Sequence, residues 1–298
     1  MTRASHGALA VTLLYALICA CGTKTSRVPD QSNAPATGSS LASISVTRTV
    51  SLPVRTVKDP SEAATNPAIL TITQSSDDEP SQGPSTFDVR PDKGFVVADP
   101  LSKRVVFYDA SGRYQQELLI YISPQHVRVL PNNALSVVRY QTGERYIYDV
   151  DSSGNYKAPR LATASDPDPD VEDRGEANLE GPRSAVVRTA SPDGTQLPPV
   201  RIRFDRPGED MVSVSRLGSD KDHTYVLIDS SAPSDTIFVK SSVWKYTRGR
   251  PVGEVSDASS DYSVAPEDPF RLRDGIVYQL VPKNSEVRIN VWDTNSFQ

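Results

Sequence analysis

Cysteine is scarce in this chain of 298 residues and confined to one place: Cys19 and Cys21 are its only two, and none follows. A disulfide framework and a cysteine-rich zinc site are therefore excluded for the rest of the chain, which is long enough to build a core without such staples. Histidine is nearly as rare, with His6, His126 and His223. No G-x-S-x-G, H-E-x-x-H, Walker A or Rossmann fingerprint occurs, so no catalytic class is indicated and the chain reads as a non-enzyme without a cofactor. There is no long basic run and the net charge is −5, a poor match to a polyanion, so nucleic acid is not an expected partner. The longest apolar run, residues 8–20, has 13 residues, against the roughly 18 a membrane-spanning helix needs. Apolar residues nowhere recur convincingly at i, i+3, i+4 and i+7 outside that run, which argues against an amphipathic helical domain.

The apolar run itself carries information. Arg3 ahead of it and its length, within the roughly 7–15 residues of a signal h-region, predict an export signal over residues 1–20 rather than a core helix. Ile18-Cys19-Ala20-Cys21 resembles a bacterial lipobox, with an aliphatic residue at −3 and a small one at −1. The resemblance implies lipid attachment at Cys21 as the first mature residue and membrane contact through that lipid. Cys19 at −2 is larger than the family prefers. Gly22 stands where aspartate would retain the protein at the inner membrane, so the resemblance implies the outer membrane. Residues 22–43 are rich in Ser, Thr, Ala, Pro and Gly and lack aromatics, so residues 21–43 read as a flexible tether with a mean reach of roughly 25 Å.

From residue 44 to 298 the texture changes to short Val/Ile/Tyr/Phe runs punctuated by Asp, Gly, Pro, Asn and Ser, as in residues 94–100 (GFVVADP), 223–231 (HTYVLIDSS) and 286–293 (EVRINVWD). These are strand and turn signals, and the domain reads as all-β. Tyr108-Asp109-Ala110-Ser111-Gly112 is followed 40 residues on by Tyr148-Asp149-Val150-Asp151-Ser152-Ser153-Gly154, and Phe95 and Leu135 keep the same step. A strand–turn unit repeating at about 40 residues matches a four-stranded β-propeller blade. Residues 94–114 (GFVVADPLSKRVVFYDASGRY) resemble an NHL-type propeller repeat, in which Asp99 and Arg104 would brace adjacent strands. By length the domain holds about six blades, with the strand of residues 44–52 pairing with the last segment to close the ring. The alternative architecture is a β-sandwich.

Residues 166–173 (DPDPDVED) alternate carboxylates, yet Val171 and Ala177 stand where an EF-hand-type loop needs Gly and Glu, so a solvated inter-blade loop is expected rather than a calcium site. His126 and His223 read as surface or strand-end residues. Trp244 and Trp292 are expected to pack between blades, and with Tyr140 and Arg139 they are also the residue types that anchor interfaces. The functional expectation is an envelope scaffold that uses its propeller to recognise a protein or glycan partner. The alternative is a calcium-dependent propeller hydrolase, whose Glu, Asn and Asp ligands would converge on the central channel.

Overall fold

A computed structural model describes residues 41–63, 65–75, 80–169, 177–188, 198–220, 222–233, 239–256 and 262–297. The export signal, Cys21 and most of the tether lie outside the described residues.

The named elements are strands, apart from two 3-10 turns at Pro60–Glu62 and Thr294–Ser296. β1 (Arg48–Leu52) and β2 (Val54–Val57) flank Pro53, and β3 (Leu70–Thr73) follows. Then come β4 (Phe87–Val89), β5 (Phe95–Asp99), β6 (Arg104–Tyr108) and β7 (Tyr114–Leu119), followed by β8 (Pro124–Val129), β9 (Leu135–Arg139), β10 (Arg145–Tyr148) and β11 (Arg160–Leu161). The next trio is β12 (Ala177–Gly181), β13 (Ser184–Val187) and β14 (Val200–Arg203). The longest strands are β15 (Asp210–Ser219), β16 (His223–Ser231), β17 (Lys240–Thr247) and β18 (Arg250–Ser256). β19 (Phe270–Arg273), β20 (Ile276–Lys283) and β21 (Glu286–Asp293) complete the set.

Consecutive strands pair antiparallel. The described residues thus form meander sheets β4–β7, β8–β11, β12–β14 and β15–β18, and a fourth strand, β1, joins β19–β21. This is the strand order of a propeller blade, and the strands are not gathered into the two sheets of a sandwich. β1 pairs with β21 from Arg48↔Val291 to Leu52↔Val287, so the first and last strands share a sheet. β3 joins none of these meander sheets. β3 pairs parallel with β2, because the twelve residues between them form a crossover instead of a tight reversal. Leu41 to Ser43, assigned to the tether by composition, lie along β18: Glu254 N–H donates to Ala42 O, and Ile44 N–H donates to Glu254 O.

Alternation along the strands fixes which faces are covered. In β5 and β6, Phe95, Val97, Val106 and Tyr108 face a core shared with β1, β3, β20 and β21. The residues between them, Val96, Ala98, Val105 and Phe107, face a second core shared with β8, β9 and Tyr148. Both strands are therefore buried at every position, as expected where neighbours cover both faces. Trp244 joins the core between β12–β14 and β15–β18, and Trp292 joins the one between β15–β18 and β19–β21. Sequence order is thus spatial order, from β12–β14 through β15–β18, β19–β21 with β1, and β4–β7 to β8–β11. Among the described residues no shared core joins β8–β11 to β12–β14.

The 40-residue repeat holds in atomic detail. In the first unit Asp109 Oδ1 accepts from Ser111 N (2.8 Å) and Arg113 N (3.0 Å). In the second, Asp151 Oδ1 accepts from Ser153 N (2.8 Å) and Asn155 N (2.9 Å). The turn aspartate of the second unit is thus Asp151 and not Asp149, because two residues are inserted. Gly112 and Gly154 both adopt positive φ, +84° and +85°, which an L side chain rarely adopts.

Candidate functional site: a charged cavity among the first strands

A concavity of about 960 Å³ lies among the first strands of four sheets. β4 contributes Asp88, β8 contributes His126 and Arg128, β15 contributes Arg216, and β19 contributes Arg271 and Arg273. The segment before β19 adds Glu267 and Asp268, and the ends of β16 and β17 add Asp229 and Lys240. Five permanently cationic side chains meet four carboxylates there, in a chain that is acidic overall.

The carboxylates have partners. Asp88 is a buried clamp between sheets: one oxygen accepts from its neighbour Val89 N (2.7 Å) and the other from Val129 N in β8 (2.6 Å). Burial pushes its pKa above the ordinary carboxylate value, against the pull of Arg128, the two backbone N–H groups and Arg273. Asp268 pairs with Arg128 and receives Arg271 Nη1 at 2.6 Å. Arg271 Nε also donates to Phe87 O (2.8 Å), and its guanidinium lies over the Phe87 ring. The set Asp88–Arg128–Asp268–Arg271 therefore links β8, β4 and β19. Asp229 accepts from Ser213 Oγ and Ser241 Oγ (2.5 and 2.7 Å). His126 Nε2 stands 3.6 Å from Glu267 Oε2, while its Nδ1 is buried without a hydrogen-bond partner. The Arg273 side chain has no hydrogen bond or ion pair among the described residues.

No group of three or more His, Cys, Asp or Glu with metal-binding geometry occurs among the described residues. In the acidic stretch at 166–173, Asp166 receives a bidentate pair from Arg160 (2.7 and 2.8 Å) and hydrogen bonds from Thr163. Those bonds hold its carboxyl below the usual range. Asp170 to Asp173 lie outside the described residues.

The residues singled out by sequence scatter. Asp99 and Arg104 form a buried pair (3.0 Å), and Arg104 also reaches Glu117 (2.9 Å) and the carbonyls of Asn66 and Ile69. This braces three strands and β3. His223 pairs with Asp220 (2.8 Å) at a turn away from the cavity. Tyr140 is 53% exposed beside Arg139, which pairs with Glu144. Both tryptophans are buried in cores. Of the residues singled out by sequence, His126 lines the cavity, as does Pro169 of the acidic stretch. Asp88, Arg128, Asp268 and Arg271 were missed by sequence, since they come from three segments far apart in the chain. Their one signal is a charge set between apolar residues at the start of a strand, as in Phe87-Asp88-Val89 and Phe270-Arg271-Leu272.

No family model and no curated protein matches the chain. Among solved structures it is similar to BamB from Moraxella catarrhalis, at 10% identity over 70% of this chain and 85% of that one, with a TM-score of 0.28. It is similar to a streptogramin B lyase at 11% identity over 75% and 97%, TM-score 0.31, and to Kluyveromyces lactis Hsv2 at 11% over 66% and 71%, TM-score 0.28. At these scores the fold rests on the chain's own strand pairings.

Proposed function

We propose that this chain is a lipid-anchored binding protein of the bacterial outer membrane. Cys21 is the anchor, residues 22–40 the tether, and the meander sheets the blades of a propeller that the β1–β21 pairing closes. It recognises a protein partner, with a glycan as the other candidate, and carries out no chemistry of its own. One observation supports this most: in the cavity among the first strands Asp88, Asp229 and Asp268 are bonded to arginine, hydroxyl and backbone partners, whereas the Arg273 side chain has no hydrogen bond or ion pair among the described residues. A calcium-dependent hydrolase needs several carboxylates available to the ion, and here Asp88 and Asp268 already hold sheets together. A cavity with a cationic surplus suits an acidic side chain presented by a partner.

The test is cross-linking in intact cells that express the tagged protein, with Cys21→Ser and Arg273→Glu in parallel. The reading expects one protein partner with the wild type, its loss or marked reduction with Arg273→Glu, and release of Cys21→Ser from the membrane fraction. Capture unaffected by Arg273→Glu would remove the cavity from recognition. Membrane retention of Cys21→Ser would remove the lipid anchor.

A further inference from the structure

The sheet β12–β14 stands apart. Among the described residues the other meander sheets have four strands and this one has three. Val200 and Ile202 of β14 lie in the core against β15–β18, whereas Arg201 and Arg203 point to the opposite face and are exposed. Neither arginine makes an ion pair or side-chain hydrogen bond among the described residues. The ladder settles where their backbones point. Phe204 N–H donates to Arg183 O, directly opposite it, in register with Ile202↔Ala185 and Val200↔Val187. In an antiparallel ladder the bonded residues alternate, so the N–H and C=O groups of Arg201 and Arg203 face away from β13, along an open edge. A trough of about 400 Å³ runs over the same residues, where Arg183, Arg201 and Arg203 outnumber the two carboxylates that also line it, Glu180 and Asp205.

We propose that β14 is a docking edge for an extended acidic segment of a partner protein, which adds as the fourth strand of this sheet. The proposal rests on the reading of the chain as a protein-binding module and names the chemistry of its partner. Residues directly opposite in a sheet share a face. The segment therefore carries acids opposite Arg201 and Arg203 and apolar residues opposite Val200, Ile202 and Phe204, where they extend the core around Trp244 and Tyr246. The backbone ladder supplies affinity and the alternation supplies specificity. Charge complementarity selects this occupant: two exposed guanidiniums two residues apart on one strand repel a second copy of the same edge.

The test uses the full chain in detergent and a labelled nine-residue peptide of alternating isoleucine and glutamate. The wild type is expected to bind it and to ignore a peptide of the same composition with its glutamates clustered. Arg201→Glu/Arg203→Glu should weaken binding by about tenfold or more, and Arg201→Lys/Arg203→Lys should hold it within about threefold. Arg201→Pro removes an outward N–H that the fold does not use, so it should abolish binding while circular dichroism and melting stay near wild type. Arg273→Glu, in the cavity, should leave peptide binding unchanged, which separates failure at this edge from failure of the cavity reading. No binding by the wild type would overturn the proposal. So would binding indifferent to Arg201→Pro, or a dimer in sedimentation that Arg201→Pro dissolves.

Discussion

The β4–β7 and β12–β14 sheets follow the same meander and differ in what covers them. β5 and β6 are buried along their whole length because alternate residues enter two different cores. β14 alternates buried and exposed because only one of its faces has a neighbour among the described residues. Charge follows coverage. Arg104 in β6 is enclosed and bonded to Asp99, Glu117 and two carbonyls, whereas Arg201 and Arg203 stand in solvent. One strand type thus yields a structural brace where two neighbours press on it and a recognition edge where one is missing.

The largest effect is expected from the strand that joins the chain's ends. Deleting residues 44–53 removes β1 and exposes the positions packed against Val50 and Leu52, each worth about 1.5–3 kcal/mol of burial. A fall in melting temperature of about 10 °C or more should follow. A melt unchanged by the deletion would refute the closure.

Next comes the brace. Arg104→Ala leaves two carboxylates without their cation, one of them fully buried, and should cost about 3–5 kcal/mol in urea unfolding. Arg203→Ala in β14 should lie within about 0.5 kcal/mol of wild type. Equal costs at the two positions would erase the distinction between the sheets.

The paired turns sharpen the comparison further. A Cβ on Gly112 would sit 2.6 Å from Val50 Cγ1, while one on Gly154 meets nothing within 4 Å. Gly112→Ala should therefore cost about 2–3 kcal/mol and Gly154→Ala about 1 kcal/mol, the latter from its positive φ alone.

The smallest effect is a pH dependence at Asp88. Because burial raises its folded pKa, the native state takes up this proton before the unfolded chain does as the pH falls. The cost of the buried charge is fully present above the raised value and gone below the ordinary value of 3.8. The stability of Asp88→Asn relative to wild type should thus be more favourable at pH 7 than at about pH 4. A difference that does not change with pH would mean that Asp88 is not desolvated.

Much of this contrast was legible in the sequence. The uninterrupted apolar runs at 95–98 and 105–108 mark strands covered on both faces, and Val200-Arg201-Ile202-Arg203 alternates as a half-covered strand does. The Ser-Gly turns are local patterns with a local physical cause; the Asp99–Arg104 pair followed from the resemblance to a propeller repeat, and the strand that meets β21 from the need to cover the last sheet's edge. The cavity was not. Asp88, Arg128, Asp268 and Arg271 come together only because three sheets place their first strands side by side, and nothing within a single strand records its neighbour in another sheet. The parallel pairing of β2 with β3 escaped notice in the same way, since a crossover leaves no turn signature.

Backbone hydrogen exchange of the full chain, resolved by residue, tests the difference between the two sheets most directly. The amides of Val97 and Val106 should be protected at least about a thousandfold more than those of Arg201 and Arg203, which should exchange nearly as fast as an open strand edge allows. Comparable protection at all four positions would show that β14 is already covered, and would contradict the account.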